Sequence, residues 1–115
     1  MLNIDILTII PEVIDVYAQA AMLGRAQKNK LIKISAHQLR DYSADKKHKK
    51  VDDTPYGGGA GMVMAIQPFD AALRKIILKK KFLSRSVPKT RVILTAASGK
   101  LFTQRDAERL AGYDR

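Results

Sequence analysis

At 115 residues, 46% of them hydrophobic, the chain fits one globular domain with a modest core. Twenty-one Lys and Arg against eleven Asp and Glu give a formal net charge of +10, which favours a polyanionic partner, nucleic acid first, over a charge that merely keeps the chain in solution. The absence of cysteine excludes disulfides, thiolate nucleophiles and Cys-based zinc sites, and His37 and His48 read as isolated loop or strand-end residues, so no metal is expected.

The opening "NIDILTII" is rich in β-branched residues and predicts a strand that ends at Pro11. Pro11 suits the first turn of a helix, and Glu12 suits the positive end of its dipole. Val13, Val16, Tyr17 and Ala20 recur at helical spacing and predict an apolar stripe facing the sheet. "AMLGRAQKNK" predicts a second helix that stops near Asn29 in a left-handed cap. No apolar stretch reaches the roughly 20 residues that span a bilayer, and the N-terminus lacks a basic leader, so a cytoplasmic protein with no membrane partner is expected.

"LIKISAH" alternates apolar and polar residues, the period of a half-exposed strand near a sheet edge. From Gln38 to Ala65 no period persists, and connections of that length are usually functional or disordered. Gln67 and Pro68 open a helix with Phe69, Leu73, Ile76 and Ile77 on one face, which gives way to the basic linker "KKKFLSRSVPKT". "RVILTAASG" predicts a strand buried on both faces that turns at Gly99, and Thr103 with Asp106 predicts a capping box for a last helix before Gly112. This alternation predicts an α/β fold with a parallel sheet and flanking helices. Only three strands are evident, and the chain reaches "AGYDR" where another would follow, so an incomplete domain is expected.

Within the aperiodic stretch, "DKKHKKVDDTPYGGGAGM" sets a block of lysines and two aspartates before a glycine run. No Lys-Ser or Lys-Thr follows the glycines and no G-x-G-x-x-G spacing is present, which argues against a nucleotide-binding loop. One reading is a turn that lets two backbones pass closely beside a solvated charge run. The other is an RNA surface: lysines for phosphates, carboxylates for a base's amino edge, bare backbone for a flipped base, and Tyr56 to stack or pack.

That segment, together with "IDILTIIPEV", "GRAQKN" and "GKLFTQ", resembles the N-terminal half of the bacterial tRNA (guanine-N(1)-)-methyltransferases, the TrmD type of knotted SPOUT methyltransferase. The resemblance spans nearly the whole chain and rests on the ordered series of motifs. It implies that residues 1–115 are the N-terminal portion of a SPOUT domain that binds S-adenosyl-L-methionine, with the knot-forming half and a C-terminal tRNA-binding domain absent. It also implies methylation at N1 of the guanosine 3′-adjacent to the tRNA anticodon, and a homodimer with active sites between subunits.

By position, Leu94, Thr95, Ala96, Ala97, Ser98 and Gly99 then correspond to the first cofactor-binding loop, mostly through backbone groups. Asp52, Asp53, Tyr56, Gly57, Gly58, Gly59, Gly61 and Met62 correspond to the motif at the tRNA and the dimer seam, beside Lys46, Lys47, Lys49 and Lys50. The chain departs from the family at Ala96-Ala97, where Ser-Pro is usual, at Thr54, where arginine is common, and at Ala60, where proline is common. The aspartate and arginine credited with catalysis have no counterpart within these residues, so no catalytic residue is assigned and the isolated chain is expected to be inactive. A nonenzymatic basic RNA-binding module and a truncated remnant are the rival readings.

Overall fold

The computed structural model describes residues 1–81 and 88–115, with side chains described as far as Leu78 in the first stretch. Strand β1 (Leu2–Thr8) pairs in parallel with β2 (Ile32–Gln38), in register from Leu2 opposite Ile32 to Thr8 opposite Gln38. Parallel neighbours need a crossover, which helices α1 (Pro11–Gln19) and α2 (Ala21–Lys28) supply. Pro11 and Glu12 occupy the first turn of α1 as the sequence predicts.

The crossover is locked by two residues of the "GRAQKN" segment. Gly24 passes so close to the end of α1 that a Cβ there would lie 2.2 Å from the Gln19 carbonyl oxygen. The Gln27 amide donates to the Ala18 carbonyl at 2.8 Å and accepts from the Ile34 N–H at 3.0 Å. One side chain thus satisfies a carbonyl at the end of α1 and an N–H on the edge of β2 that no strand among the described residues pairs with.

Beyond β2 a 3₁₀ turn (Leu39–Tyr42) leads through residues 43–51 to a short antiparallel hairpin, β3 (Asp52–Asp53) with β4 (Val63–Met64), and then to α3 (Ile66–Lys81). Leu39, Val51, Pro68 and Ala72 are fully buried, so the packed centre lies where α3 meets the 3₁₀ turn. Helix α4 (Gln104–Ala111) opens with the predicted capping box, Thr103 and Asp106 satisfying each other's backbone N–H groups, and ends at Gly112.

The last residues of the chain tie these parts together. Asn3 N–H donates to the Asp114 carbonyl at 2.9 Å, Asp114 N–H to Lys89 and Arg91 N–H to Arg115, each at 2.9 Å. The Arg115 side chain, only 8% exposed, donates from Nε to Asp5 at 2.6 Å and from Nη1 to the Ile76 carbonyl at 2.9 Å. The other Asp5 oxygen lies 2.8 Å from His37 Nε2. His37 is therefore a partner in a half-buried polar cluster, not an isolated strand-end residue.

Four further expectations are corrected. Val13, Val16 and Tyr17 are 55%, 75% and 69% exposed; α1 instead turns Ile14 and the buried Ala18 inward, because periodicity reveals a stripe without saying which surface it meets. Asn29 has φ −80° and caps α2 without a left-handed turn, which falls one residue later at Lys30 with φ +57°. Residues 91–95 form no strand, and Val92, Ile93 and Leu94 are 55%, 59% and 82% exposed. A strand needs hydrogen-bonding neighbours, and of this segment only Arg91 N–H finds a backbone partner among the described residues. Finally, the helical backbone runs on to Lys81 where a linker was predicted, and residues 82–87 of that linker lie outside the described residues.

Candidate functional site

The lysine block is a closed loop built almost wholly from polar bonds. Ser43, 2% exposed, donates its hydroxyl to the Lys50 carbonyl and accepts the Asp45 N–H at 3.1 Å, so it staples the two ends of the loop. Asp45 Oδ1 accepts the N–H groups of Lys47 and His48, both at 3.0 Å, and its carbonyl accepts the Lys49 N–H at 3.0 Å. These bonds, led by that from His48 N–H, hold the Asp45 carboxyl below the usual aspartate value. His48 Nδ1 lies 3.4 Å from Asp45 Oδ2, so this histidine also has a carboxylate neighbour. From α3, Gln67 accepts the Ala44 N–H at 3.0 Å and donates to the Tyr42 carbonyl at 3.2 Å, fixing the loop to the packed centre.

The four lysines are not equivalent. Lys46 Nζ donates to the Ser43 carbonyl at 3.1 Å, and Lys49 Nζ lies 3.4 Å from Asp41 while its backbone holds φ +51°. Lys47 and Lys50 are exposed, and neither ammonium group has a partner among the described residues. Sequence reasoning named all four lysines and missed Ser43, Asp45 and Gln67. The Ser-x-Asp spacing, a common turn signal, was the clue.

The glycine run forms the open tip of the β3–β4 hairpin. Gly58 N–H donates to the Pro55 carbonyl at 3.1 Å, closing a tight turn whose third residue, Gly57, has φ +80°. Gly58, Gly59 and Gly61 also have φ of +79°, +111° and +94°, and a Cβ at any of the four would meet nothing within 4 Å. Backbone conformation, not crowding by the rest of the described chain, thus calls for glycine here. Tyr56 and Met62 are exposed, and the Asp53 carboxylate is occupied in part by the Thr54 N–H at 2.8 Å. Asp52 and Asp53 sit in β3, paired with Met64 and Val63.

An open cavity of about 450 Å³ lies between residues 91–102 and α4. Leu94, Thr95, Ala96 and Gly99 line it; Ala97 and Ser98 do not. Gly99 N–H donates to the Ala96 carbonyl at 2.9 Å, and a Cβ on Gly99 would come within 2.9 Å of that oxygen, so the turn is tight. Lys100, Phe102 and Arg109 line the same cavity and were not foreseen. Asp106 serves twice, capping α4 and lying 3.4 Å from both Lys100 and Arg109. Hydrogen bonds from Thr103, first its hydroxyl, lower the Asp106 carboxyl to about 2. No residue of 46–62 lines this cavity, so the described residues present an open cavity and a cationic loop as separate features.

Among the described residues no group of three or more His, Asp or Glu is placed to hold a metal ion, and no helix is long and apolar enough to cross a membrane.

Comparison with known proteins gives a consistent answer. Residues 2–115 match the family model described as tRNA (Guanine-1)-methyltransferase TrmD. The chain is 46% identical over 110 residues to the tRNA (guanine-N(1)-)-methyltransferase of Clostridium acetobutylicum, covering 96% of this chain and 41% of that protein. It is 39% identical over 110 residues to the Porphyromonas gingivalis protein of the same name, covering 96% of this chain and 45% of that one. A crystal structure of the tRNA (m1G37) methyltransferase from Aquifex aeolicus superposes with a TM-score of 0.83 at 26% identity, over 99% of this chain and 48% of that one. The chain thus spans less than half the length of these relatives, and it belongs to the TrmD family of tRNA (guanine-N(1)-)-methyltransferases.

Proposed function

We propose that the chain is the N-terminal portion of a SPOUT domain that methylates N1 of the guanosine 3′-adjacent to the tRNA anticodon, with S-adenosyl-L-methionine as donor. The observation that carries this reading is the cavity beside residues 94–99. Its volume is of the order of a nucleoside-sized group, and it is lined by Leu94, Thr95, Ala96 and the tight Gly99 turn. Those residues would hold the donor, whose sulfonium supplies an electrophilic methyl group when bound. Ala96 and Ala97 supply no side-chain hydroxyl, so the Thr95 hydroxyl and the loop's backbone groups are left to carry the recognition.

Lys47 and Lys50 supply mobile positive charge for the tRNA backbone, and the glycine hairpin offers bare peptide against which a flipped base or a sister subunit can sit. No residue of the chain is assigned the removal of the N1 proton. The chain is accordingly expected to bind tRNA and donor without turnover, and to act in the cytoplasm as part of a homodimer.

The test is calorimetric titration of the chain with S-adenosyl-L-methionine, beside filter binding of an unmodified tRNA transcript carrying that guanosine. Binding of both supports the proposal. Binding of tRNA without donor points to a nonenzymatic RNA module, and binding of neither overturns the reading.

A further inference from the structure

We propose that the lysine loop is a pre-formed clamp for two phosphates, in which Lys47 and Lys50 make the contacts while Ser43, Asp45, Lys46 and Lys49 hold the backbone in place. The inference rests on the tRNA reading above and assigns a division of labour within it.

Five residues in a row, 46–50, carry Lys or His, and a run so charged would repel itself into an extended, mobile segment unless something opposed it. Asp45 opposes it by geometry as well as by charge, since a single oxygen gathers the N–H groups of Lys47 and His48. Ser43 closes the loop by bonding the Lys50 carbonyl, and Gln67 anchors it to α3. Lys46 folds back on Ser43, and Lys49 lies beside Asp41 with a left-handed backbone that reverses the chain. Of the exposed lysines, Lys47 and Lys50 are left without a partner among the described residues, at backbone positions three residues apart. A clamp already ordered loses less conformational freedom when it closes on a polyanion.

Charge alone and positioning predict opposite signs when Asp45 is changed. Removing a carboxylate from beside four lysines tightens polyanion binding if only charge matters. If Asp45 positions the loop, Asp45→Ala weakens binding of the tRNA transcript about five-fold despite the added net charge, because the ordering cost then falls on the bound state. Asp45→Asn keeps an oxygen acceptor for the two N–H groups and is expected to bind within about two-fold of the parent, since a conservative acceptor preserves the loop.

The measurement is filter binding of the tRNA transcript to this chain over a range of NaCl concentrations, with circular dichroism to confirm each fold. Lys47→Gln and Lys50→Gln should each lower the slope of log K against log salt by about 0.9, the value for one lost phosphate contact on a duplex. Lys46→Gln and Lys49→Gln should leave that slope unchanged. Tighter binding by Asp45→Ala overturns the proposal, as does a lowered slope for Lys46→Gln or Lys49→Gln with none for Lys47→Gln or Lys50→Gln; either leaves the tRNA reading standing. Slopes unchanged in all four lysine variants overturn the clamp and the tRNA reading of this loop together.

Discussion

Two exposed loops stand next to each other in the chain and are held in opposite ways. Residues 43–50 contain no large apolar side chain, yet Ser43, Asp45 and Gln67 account for backbone groups at Ala44, Asp45, Lys47, His48 and Lys50. Residues 54–62 close one turn, Gly58 to Pro55, and otherwise present glycines in left-handed conformations to open space. Surface segments with no core to rest on are ordered by local acceptors or stay open to a partner. This chain does one with its cations and the other with its bare backbone.

The largest effect should come from the scaffold that carries both. Asp5→Ala leaves the nearly buried Arg115 guanidinium without its carboxylate and should cost about 3–5 kcal/mol in urea unfolding. Both loops should then lose amide protection together; if only one does, they do not share a scaffold.

Gly24→Ala drives a methyl into the Gln19 carbonyl and should cost about 1–3 kcal/mol by forcing the α1–α2 corner apart. Amide protection in residues 43–50 should survive that change, since the corner lies on the crossover and not under the loop.

Gly58→Val separates the loops directly. With φ +79° and open space around it, the substitution strains only the backbone, by about 1–2 kcal/mol for a left-handed residue. Hydrogen exchange should change at the hairpin and not at Lys47 or His48. A variant that binds the tRNA transcript and self-associates as the parent does would sink the close-approach role of the glycines.

The smallest effect is acid titration. The folded Asp45 carboxyl lies below its ordinary value of 3.8, so its contribution is fully present above that value and is lost as pH falls through the folded one. NMR amide exchange at Lys47 and His48 should rise over that acid range while that of Gly58, whose N–H is held by the Pro55 carbonyl and by no carboxylate, stays unchanged. Asp106, lowered to about 2, should keep the α4 cap until the pH approaches that value.

Much of this was legible locally. Pro11 with Glu12 marked the start of α1, Thr103 with Asp106 marked that of α4, and the alternation of "LIKISAH" marked β2, because each signal is satisfied by residues a few positions apart. The glycine run and the lysine block stood out by composition, and the ordered motifs pointed to the family that the comparisons show. The loop scaffold was less visible: Ser43 and Asp45 carried a turn signal, whereas Gln67 reaches Ala44 across 23 residues of sequence with no signal.

By itself, then, the sequence determined the helix starts, the parallel α/β character and the family, since these depend on short-range spacing and on the order of motifs. Only the tertiary structure decided that α1 buries Ala18 and not Val16, that residues 91–95 find no ladder among the described residues, and that Arg115 reaches back to Asp5. Each of those outcomes depends on which distant surface or backbone group is within reach, and a pattern of residue types carries no record of distance.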